Sequence, residues 1–240
     1  MTRHLKLGTF VKTASPHVIE VLGTTELDFV CLDAEHAPFD RATLDLMVLA
    51  TRATHLKAFI RIAEVNPAVV LSALDIGATG ILVPHVDSAE DARKVVAMAR
   101  YRDGARGYSS SPRFAGYGSL GMKEALRIGD EAQVICQIES EAAVTEAEAI
   151  AAVPGVAGLF VGRADLALSM GLDSPRDPRV LDATRHVLAA AHKAGKLAGM
   201  FVAGNAERDE FAALGANWFV VSSDQTLLRQ AAVAIAHEAH

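Results

Sequence analysis

The feature of this sequence that most limits its fold is a regular alternation of short apolar runs with alanine-rich helical patterns. Eight such runs occur at intervals of roughly 30 residues, and a segment with helical periodicity follows each of them. The predicted strands span residues 7–11, 28–38, 57–62, 80–86, 132–139, 158–162, 197–202 and 218–222. Helices are predicted from 15, over 40–49, over 66–77, from 88, up to 153, over 177–195, from 205 and over 224–237.

This alternation predicts an α/β fold with parallel strands joined by right-handed helical crossovers. Eight repeats in a chain of 240 residues favour a (β/α)8 TIM barrel over an open sheet. A Rossmann-type sheet is the alternative, but Gly8 lies within the first strand and no Gly-x-Gly-x-x-Gly motif follows it. No linker interrupts the pattern, so residues 1–240 are predicted to form a single domain.

Composition narrows the class of protein and its partners. A formal net charge of −6 disfavours nucleic acid or an anionic membrane as the partner. The sequence has no signal peptide pattern and no apolar segment near the ~20 residues of a membrane span. Cys31 and Cys136 fall inside apolar runs, which is typical of reduced core residues rather than a disulfide framework. A soluble, cytoplasmic protein is predicted.

Polar side chains collect where the predicted strands end. The second predicted strand opens with the apolar run Phe29-Val-Cys-Leu32 and ends in charged residues. The carboxyl ends of the strands build the active site of a TIM barrel, so these groups are predicted to share one mouth. They are Asp33, Glu35, His36, Arg61, His85, Gln137, Glu139, Arg163 and Asp165.

Two carboxylates in this set are candidate metal ligands. Glu139 and Asp165 follow neighbouring strands, and hard oxygen ligands in small number suit Mg²⁺ or Mn²⁺ completed by water and substrate. The alternative is an ion network in which Arg61 and Arg163 neutralise the two acids.

The remaining groups suggest proton transfer and charge stabilisation. Asp33 and His36 are predicted to form a pair in which the carboxylate orients the imidazole for acid–base work. Arg61 would face the substrate and stabilise developing oxyanion charge. Glu35 is predicted to position metal-bound water or a neighbouring loop, and His85 to be a hydrogen-bonded structural residue.

Three segments outside this set have alternative interpretations. Residues 101–120 are rich in glycine and arginine and precede a strand, which favours a structural wrap or an oligomer contact over substrate binding. Residues 222–224 and Asn205 follow the last two strands. They could bind an anion, but plain helix capping is the preferred interpretation.

These motifs together resemble the metal-dependent (class II) hydroxyketoacid aldolase family, also called the 2,4-dihydroxyhept-2-ene-1,7-dioate aldolase/citrate lyase family. The likeness spans essentially the whole chain. The residues that carry it are the D-x-E-H-x-P motif at 33–38, Arg61, Gly77 with Leu82-Val-Pro84, Arg106-Gly107, the Q-I-E motif at 137–139 and the run G-L-F-V-G-R-A-D-L at 158–166.

The resemblance implies a (β/α)8 barrel that exchanges a C-terminal helix between neighbouring subunits and assembles as a homohexamer. It implies a metal-dependent carbon–carbon lyase that cleaves or forms 4-hydroxy-2-oxo acids. Pyruvate or a related 2-oxo acid is then the nucleophile and an aldehyde the electrophile. The implied cofactor is Mg²⁺ or Mn²⁺, with Co²⁺ or Zn²⁺ as alternatives.

The family's site residues carry over to matching positions in this chain. Glu139 and Asp165 resemble the metal ligands, Arg61 the enolate stabiliser, and His36 with Asp33 the acid/base pair. The groups that resemble the holders of the pyruvate unit are Gln137, Gly162, Arg163 and Ala164. Such a mechanism needs no Schiff-base lysine, and Lys57 and Lys196 stand at strand starts, far from the predicted mouth.

This chain departs from the family's motif at one position that bears on the substrate. Arg163 stands where most members of the family have proline, so it either recognises a second anionic group or pairs with a neighbouring acid. Two further activities stay open at this point. One is a citrate synthase-like or acyl-CoA lyase reaction, and the other is a metabolite-binding barrel without turnover.

Overall fold

A computed structural model describes residues 5–238, and its strands close into a barrel. Eight parallel strands pair in chain order, and the last pairs with the first. The strands are β1 Lys6–Val11, β2 Phe29–Asp33, β3 Lys57–Arg61, β4 Gly80–Val83, β5 Gln133–Ile138, β6 Val156–Val161, β7 Leu197–Val202 and β8 Trp218–Ser223. The predicted (β/α)8 barrel is confirmed.

Helices separate the strands and surround the barrel. They are α1 Pro16–Leu22, α2 Arg41–Thr51, α3 Pro67–Asp75, α4 Ala89–Ala99, α5 Met122–Gly129, α6 Glu141–Thr145, α7 Ala147–Ala151, α8 Arg163–Ser169, α9 Pro178–Lys193, α10 Asn205–Ala213 and α11 Asp224–Glu238. A 3₁₀ helix spans Arg113–Gly118. The short helices α5 and α8 were not predicted, and the helix predicted after β5 is divided into α6 and α7.

Helix starts follow the capping residues of the sequence. Asp40 accepts a hydrogen bond from the Thr43 N–H at 2.7 Å, and Ser88 Oγ accepts one from the Asp91 N–H at 3.1 Å. Such caps satisfy backbone donors that have no partner within the first helical turn. The predicted starts of α2 and α4 are therefore confirmed.

The barrel interior has an aromatic floor. The rings of Phe29 and Trp218 stack with centroids 4.2 Å apart, and Phe59 meets Trp218 edge-on at 5.2 Å. Alternate residues of a strand face the same side, so Cys31 and Asp33 follow Phe29 up the interior of β2. The interior thus changes from apolar at the amino ends of the strands to charged at their carboxyl ends.

Residues 101–120 lie against the amino-terminal side of the barrel. The buried Arg106 guanidinium lies 4.5 Å from the centroid of the Tyr101 ring and pairs with Asp75 of α3 at 2.9 Å. Arg113 pairs with Asp45 of α2 at 2.8 Å. The segment is a structural wrap held by these ion pairs, and its role as an oligomer contact remains a prediction.

Both cysteines are buried and free, as expected for core thiols. Burial raises the pKa of Cys136 to about 12, so this thiol has no tendency to ionise. Within residues 5–238, no helix has both the length and the apolar character that a bilayer-spanning segment requires.

Candidate active site

Asp33 and Arg61 form the central ion pair at the barrel mouth. The β2–β3 register places the two residues opposite each other. Arg61 Nε donates to Asp33 Oδ1 at 2.9 Å, and Nη2 donates to Oδ2 at 2.7 Å. Both side chains are buried, so this two-point contact fixes the guanidinium in one orientation.

Lys12 is a second cation on the same carboxylate. Its Nζ lies 3.0 Å from Asp33 Oδ2. Burial by itself would raise the pKa of Asp33, but hydrogen bonds and charge from Arg61, with a further contribution from Lys12, hold that pKa below its usual range. Asp33 is therefore an anion that positions two cations.

Glu35 and His36 lie in a turn beyond the end of β2, not on the strand. Within residues 5–238, no hydrogen bond or ion pair joins the imidazole of His36 to the Asp33 carboxylate; the backbone N–H of His36 donates to Asp33 Oδ1 at 3.2 Å. The imidazole Nε2 instead lies 3.8 Å from Glu35 Oε2. The predicted orientation of His36 by Asp33 is thus corrected, because Arg61 and Lys12 occupy that carboxylate and Glu35 is the acid beside the ring.

Glu35 connects several charged groups. Its Oε2 lies 3.1 Å from Arg61 Nη1, and its Oε1 lies 3.6 Å from His85 Nε2. Burial, aided by the charge of Glu139, raises the pKa of Glu35 above its usual range. Glu35 Oε2 is buried and has no hydrogen-bond partner within the described part of the chain. An oxygen in that position is suited to accept a hydrogen bond from bound water.

Glu139 is buried just beyond the end of β5, and its neighbours hold it in place. Its Oε1 accepts a hydrogen bond from the His85 N–H at 2.8 Å, and Gln137 Nε2 donates to its Oε2. His85 Nδ1 also lies 3.0 Å from Oε1. His85 thus lies at the mouth, as the sequence predicted, and its contacts with Glu139 fit the hydrogen-bonded structural role expected of it.

The backbone of His85 is unusual. Its φ of 55° places it in the left-handed region, which costs a non-glycine residue on the order of 1–2 kcal/mol. This conformation accompanies the N–H contact to Glu139, and the imidazole remains largely exposed. The strained residue lies between Glu35 and Glu139, since its imidazole is within 4 Å of both carboxylates.

Arg163, the first residue of α8, is buried and pairs with an acid. Its Nη2 donates to Glu207 Oε1 at 2.8 Å and to the Phe201 carbonyl oxygen at 3.3 Å. Its guanidinium lies 4.5 Å from the centroid of the Phe211 ring. Of the two roles that the sequence left open, pairing with a neighbouring acid is observed, and recognition of a substrate anion remains a prediction.

A cavity of about 660 Å³ opens among these residues. The family resemblance assigned nine residues to the site. Seven of them line this cavity, namely His36, Arg61, Gln137, Gly162, Arg163, Ala164 and Asp165. Asp33 lies behind Arg61 and Lys12. Glu139 lies behind Gly162, where an added Cβ would be 3.0 Å from its Oε2.

Comparison with known proteins identifies the family of this barrel. A family model described as HpcH/HpaI aldolase/citrate lyase matches residues 6–231. The chain belongs to the HpcH/HpaI aldolase/citrate lyase family. This match confirms the resemblance drawn from the strand-end motifs.

Two named relatives of this HpcH/HpaI family chain are aldolases. The 5-keto-4-deoxy-D-glucarate aldolase of Klebsiella pneumoniae subsp. pneumoniae is 36% identical over 229 residues, which cover 95% of this chain and 89% of the relative. The hydroxypyruvate/pyruvate aldolase of Chromohalobacter salexigens is 36% identical over 239 residues, with 95% and 91% covered. The predicted class of reaction, an aldolase-type lyase, is confirmed by these relatives.

Solved structures agree with the HpcH/HpaI assignment. A family protein from Burkholderia cenocepacia J2315 has a TM-score of 0.94 and 33% identity, with 99% of this chain and 95% of that chain covered. The citrate synthase SbnG has a TM-score of 0.87 and 26% identity, with 98% and 93% covered. The same barrel fold therefore also occurs in a citrate synthase.

HpcH/HpaI aldolases generally depend on a divalent metal ion, and the residues here fit one. Glu139 and Asp165 are the candidate carboxylate ligands, and the buried Gln137 Oε1 has no hydrogen-bond partner within residues 5–238. Gly162 leaves open the space that a Cβ would fill beside Glu139. No three His, Cys, Asp or Glu side chains of the described chain gather as a ligand cluster, so water and substrate would complete the coordination.

The segment after β8 is structural. Asp224 accepts hydrogen bonds from the backbone N–H groups of Lys12 and Thr13, and Ser223 Oγ accepts one from the Thr226 N–H at 3.2 Å. The Ser223 contact is thus a helix cap, whereas Asp224 holds the backbone that follows β1. Asn205, the first residue of α10, instead accepts a hydrogen bond from Arg208.

Proposed function

We propose that this chain is a divalent-metal-dependent aldolase that cleaves or forms 4-hydroxy-2-oxo acids, with pyruvate or a close 2-oxo acid as the nucleophile. The observation that carries this proposal is the cavity that brings together His36, Arg61, Gln137 and Asp165. It offers an imidazole, a fixed cation, an amide and an exposed carboxylate on one side of the barrel. These are the groups that proton transfer and stabilisation of an enolate require.

Glu139 and Asp165 would hold the metal ion, with Mg²⁺ or Mn²⁺ as the proposed species and Co²⁺ as an alternative. Two carboxylates completed by water suit Mg²⁺ or Mn²⁺ better than Zn²⁺, whose catalytic sites are usually built from three protein ligands. When bound, the ion supplies Lewis-acid stabilisation of negative charge on the oxygens of the 2-oxo acid.

In the cleavage direction, a base removes the proton of the C4 hydroxyl group, and the C3–C4 bond breaks. The C4 oxygen keeps its electron pair as the carbonyl of the released aldehyde, and the electrons of the broken bond move into the enolate of pyruvate. A proton added at C3 then gives pyruvate. Arg61, held by Asp33, stabilises the enolate oxygen, because its orientation is fixed before the charge develops.

His36 is the proposed base, acting directly or through a water molecule. It lines the cavity, and its ring lies beside Glu35, which would orient the imidazole in the role first expected of Asp33. Gln137, Gly162 and Ala164 line the same cavity and are the proposed binding groups for the pyruvate unit. Arg163 would contribute through its contact with Glu207 at the cavity wall.

The domain organisation, location and oligomeric state of the chain are also part of the proposal. A single domain over residues 1–240, a cytoplasmic location and a homohexamer that exchanges α11 between subunits are proposed. The exposed apolar residues Leu228 and Ile235 of α11 support such an exchange, because a partner subunit would cover them. The relatives named for a deoxyglucarate and for hydroxypyruvate support small 2-oxo acids and aldehydes as substrates.

The test is cleavage of a panel of 4-hydroxy-2-oxo acids, with pyruvate release measured in the presence of Mn²⁺ and in the presence of EDTA. Activity is expected with Mn²⁺ and not with EDTA, and Glu139→Ala is expected to be inactive. Full activity in EDTA, or an unchanged rate in Glu139→Ala, would contradict the metal assignment.

A citrate synthase-like reaction is the second candidate, because SbnG shares this fold at 26% identity. An acyl-CoA lyase is a related possibility for the barrel. Turnover of an oxo acid or a CoA thioester without cleavage of any 4-hydroxy-2-oxo acid would favour one of these two reactions over the aldolase reaction. Tight binding of pyruvate without exchange of its methyl protons would instead indicate a metabolite-binding barrel.

A further inference from the structure

His85 has a strained backbone whose cost is not offset by burial of its side chain. The residue lies just beyond the end of β4, and its φ of 55° is in the left-handed region that side chains disfavour. Its side chain is 71% exposed, so packing in the core does not account for the conformation. Strain of this kind is concentrated at functional sites, where the contacts of the residue require it.

The contacts of His85 are with two carboxylates of the barrel mouth. The imidazole Nδ1 lies 3.0 Å from Glu139 Oε1, and Nε2 lies 3.6 Å from Glu35 Oε1. The backbone N–H of His85 also donates to Glu139 Oε1, at 2.8 Å. The strained residue therefore makes two contacts with one oxygen of Glu139, and its ring reaches from that oxygen to Glu35.

These contacts distinguish the two oxygens of Glu139. His85 engages Oε1, whereas Oε2 accepts a hydrogen bond from Gln137 and faces the open space beside Gly162. Among the described residues, no three His, Cys, Asp or Glu side chains gather as metal ligands, so His85 adds no third ligand to a cluster. It instead fixes the orientation of Glu139, as hydrogen-bonding partners of metal-ligating carboxylates do.

Glu35 is held by different groups at its two oxygens. Arg61 Nη1 and His36 Nε2 lie 3.1 and 3.8 Å from Oε2, and His85 lies beside Oε1. Two carboxylates that approach each other repel unless a donor or a cation lies between them. The imidazole of His85 has that position between Glu35 and Glu139.

We propose that His85 is a positioning residue that joins the two halves of the site. It orients Glu139 toward the metal ion and holds Glu35 beside His36, so that metal binding and proton transfer depend on the same imidazole. In this role it forms no bond to the metal ion or to the substrate. The inference rests on the proposed metal-dependent aldolase function and deepens it.

The test uses two substitutions that the backbone of His85 tolerates. His85→Gly removes the imidazole, keeps the N–H contact and suits a positive φ. His85→Asn also suits that φ and places an amide where Nδ1 stands, so it can reach Glu139 but not Glu35. Asp103→Gly is the matched control, because Asp103 is exposed, has the same φ of 55° and belongs to the segment on the amino-terminal side of the barrel.

Three quantities are measured: Mn²⁺ affinity by titration calorimetry, the urea midpoint of unfolding, and kcat at saturating Mn²⁺ for the 4-hydroxy-2-oxo acid that the wild type cleaves fastest. His85→Gly should lower both the affinity and kcat by about tenfold, the lower end of the effect of changes around metal ligands. Its urea midpoint should be equal to that of the wild type or higher, since the strain is relieved. His85→Asn should recover most of the Mn²⁺ affinity but not kcat, and Asp103→Gly should keep both at the wild-type level.

The outcomes that overturn the inference are distinct. Wild-type Mn²⁺ affinity in His85→Gly would exclude the hold on Glu139, and wild-type kcat in either variant of His85 would exclude the link to Glu35. A urea midpoint that falls together with affinity and kcat would show that His85 only supports the fold. If the wild type itself binds no Mn²⁺, the proposed metal-dependent function fails as well; if it binds Mn²⁺ and the variants match it, the assignment of His85 fails alone.

Discussion

Asp33 and Arg61 are partners in backbone register and in side-chain contact, since they stand opposite each other on β2 and β3 and share two hydrogen bonds. Burial alone would lower the pKa of Arg61, but hydrogen bonds and charge from Asp33 raise it above its usual value. The pair therefore stays charged in the folded protein. Each residue holds the side chain of the other in one orientation.

The substitution Asp33→Asn should destabilise the fold and disable the site. Removal of one partner from a buried ion pair costs about 3–5 kcal/mol, because the remaining charge stays desolvated. Urea unfolding at pH 7 measures this loss. Asp182→Asn is the matched control, since that carboxylate is 73% exposed and should contribute less than about 0.5 kcal/mol. Equal stabilities of Asp33→Asn and the wild type would contradict the account.

The Asp33–Arg61 pair should also make the free energy of unfolding of the wild type depend on pH in the acid range. The pKa of Asp33 is lowered on folding, so its stabilisation is fully present above the unfolded-state value of about 3.9 and is lost as pH falls toward the folded value. The free energy of unfolding should therefore decrease below about pH 4, and Asp33→Asn should lack part of that decrease. Parallel curves for both proteins between pH 5 and 2 would refute this linkage.

Metal binding should depend on Glu139. A ligand at 100 times its Kd stabilises a protein by about 2.7 kcal/mol, so saturating Mn²⁺ should raise the melting temperature of the wild type by a few degrees. Glu139→Gln and Asp165→Asn should abolish that rise, and EDTA should reverse it in the wild type. Glu148→Gln removes an exposed carboxylate and should keep it. An equal Mn²⁺ shift in Glu139→Gln would exclude Glu139 as a ligand.

The sequence was sufficient for the barrel because its signals are local. Each strand and most helices have their own period, and alternation along β2 correctly places Phe29, Cys31 and Asp33 on the interior side. The rule does not extend to Glu35 and His36, because β2 ends at Asp33, short of the predicted end at 38, and a turn directs the next side chains. Alternation does not specify the direction of a side chain in a turn.

Long-range contacts account for the residues that the sequence did not reveal. Lys12 looks like an ordinary cation after a strand, and its place in the site depends on Asp33 and on Asp224, which lies more than 200 residues away. The sequence placed His85 at the mouth but did not reveal its contact with Glu139, which follows the next strand of the barrel. Pairings of this kind become visible only when the barrel is closed.

Arg163 and Glu207 should be coupled in stability. Arg163 is the first residue of α8, a position that favours proline, so Arg163→Pro should leave the helix intact. Glu207→Gln should cost about 2–3 kcal/mol in the wild type, because Arg163 then loses its buried partner. In the Arg163→Pro background the same change should cost at least about 1 kcal/mol less.

The control for this double-mutant cycle is the exposed pair Lys193 and Glu148, whose coupling should not exceed about 1 kcal/mol. Urea unfolding of each single and double variant gives both coupling energies. Additive effects of Arg163→Pro and Glu207→Gln would show that the buried contact contributes nothing beyond the two residues taken separately.

The candidate metal site should require the absence of a side chain at Gly162, and not a special backbone conformation there. Its φ of −90° suits any residue, but an added Cβ would lie 3.0 Å from both Cβ and Oε2 of Glu139. Gly162→Ala should therefore displace the Glu139 carboxylate and weaken Mn²⁺ binding by about tenfold, the lower end of the effect of changes around metal ligands. Titration calorimetry measures that affinity, and the free energy of unfolding should change less.

Gly107→Ala is the control, because no described atom beyond its chain neighbours lies within 4 Å of the added Cβ. Wild-type Mn²⁺ affinity in Gly162→Ala would mean that Glu139 can move aside without loss, and that its position is not what the metal site requires.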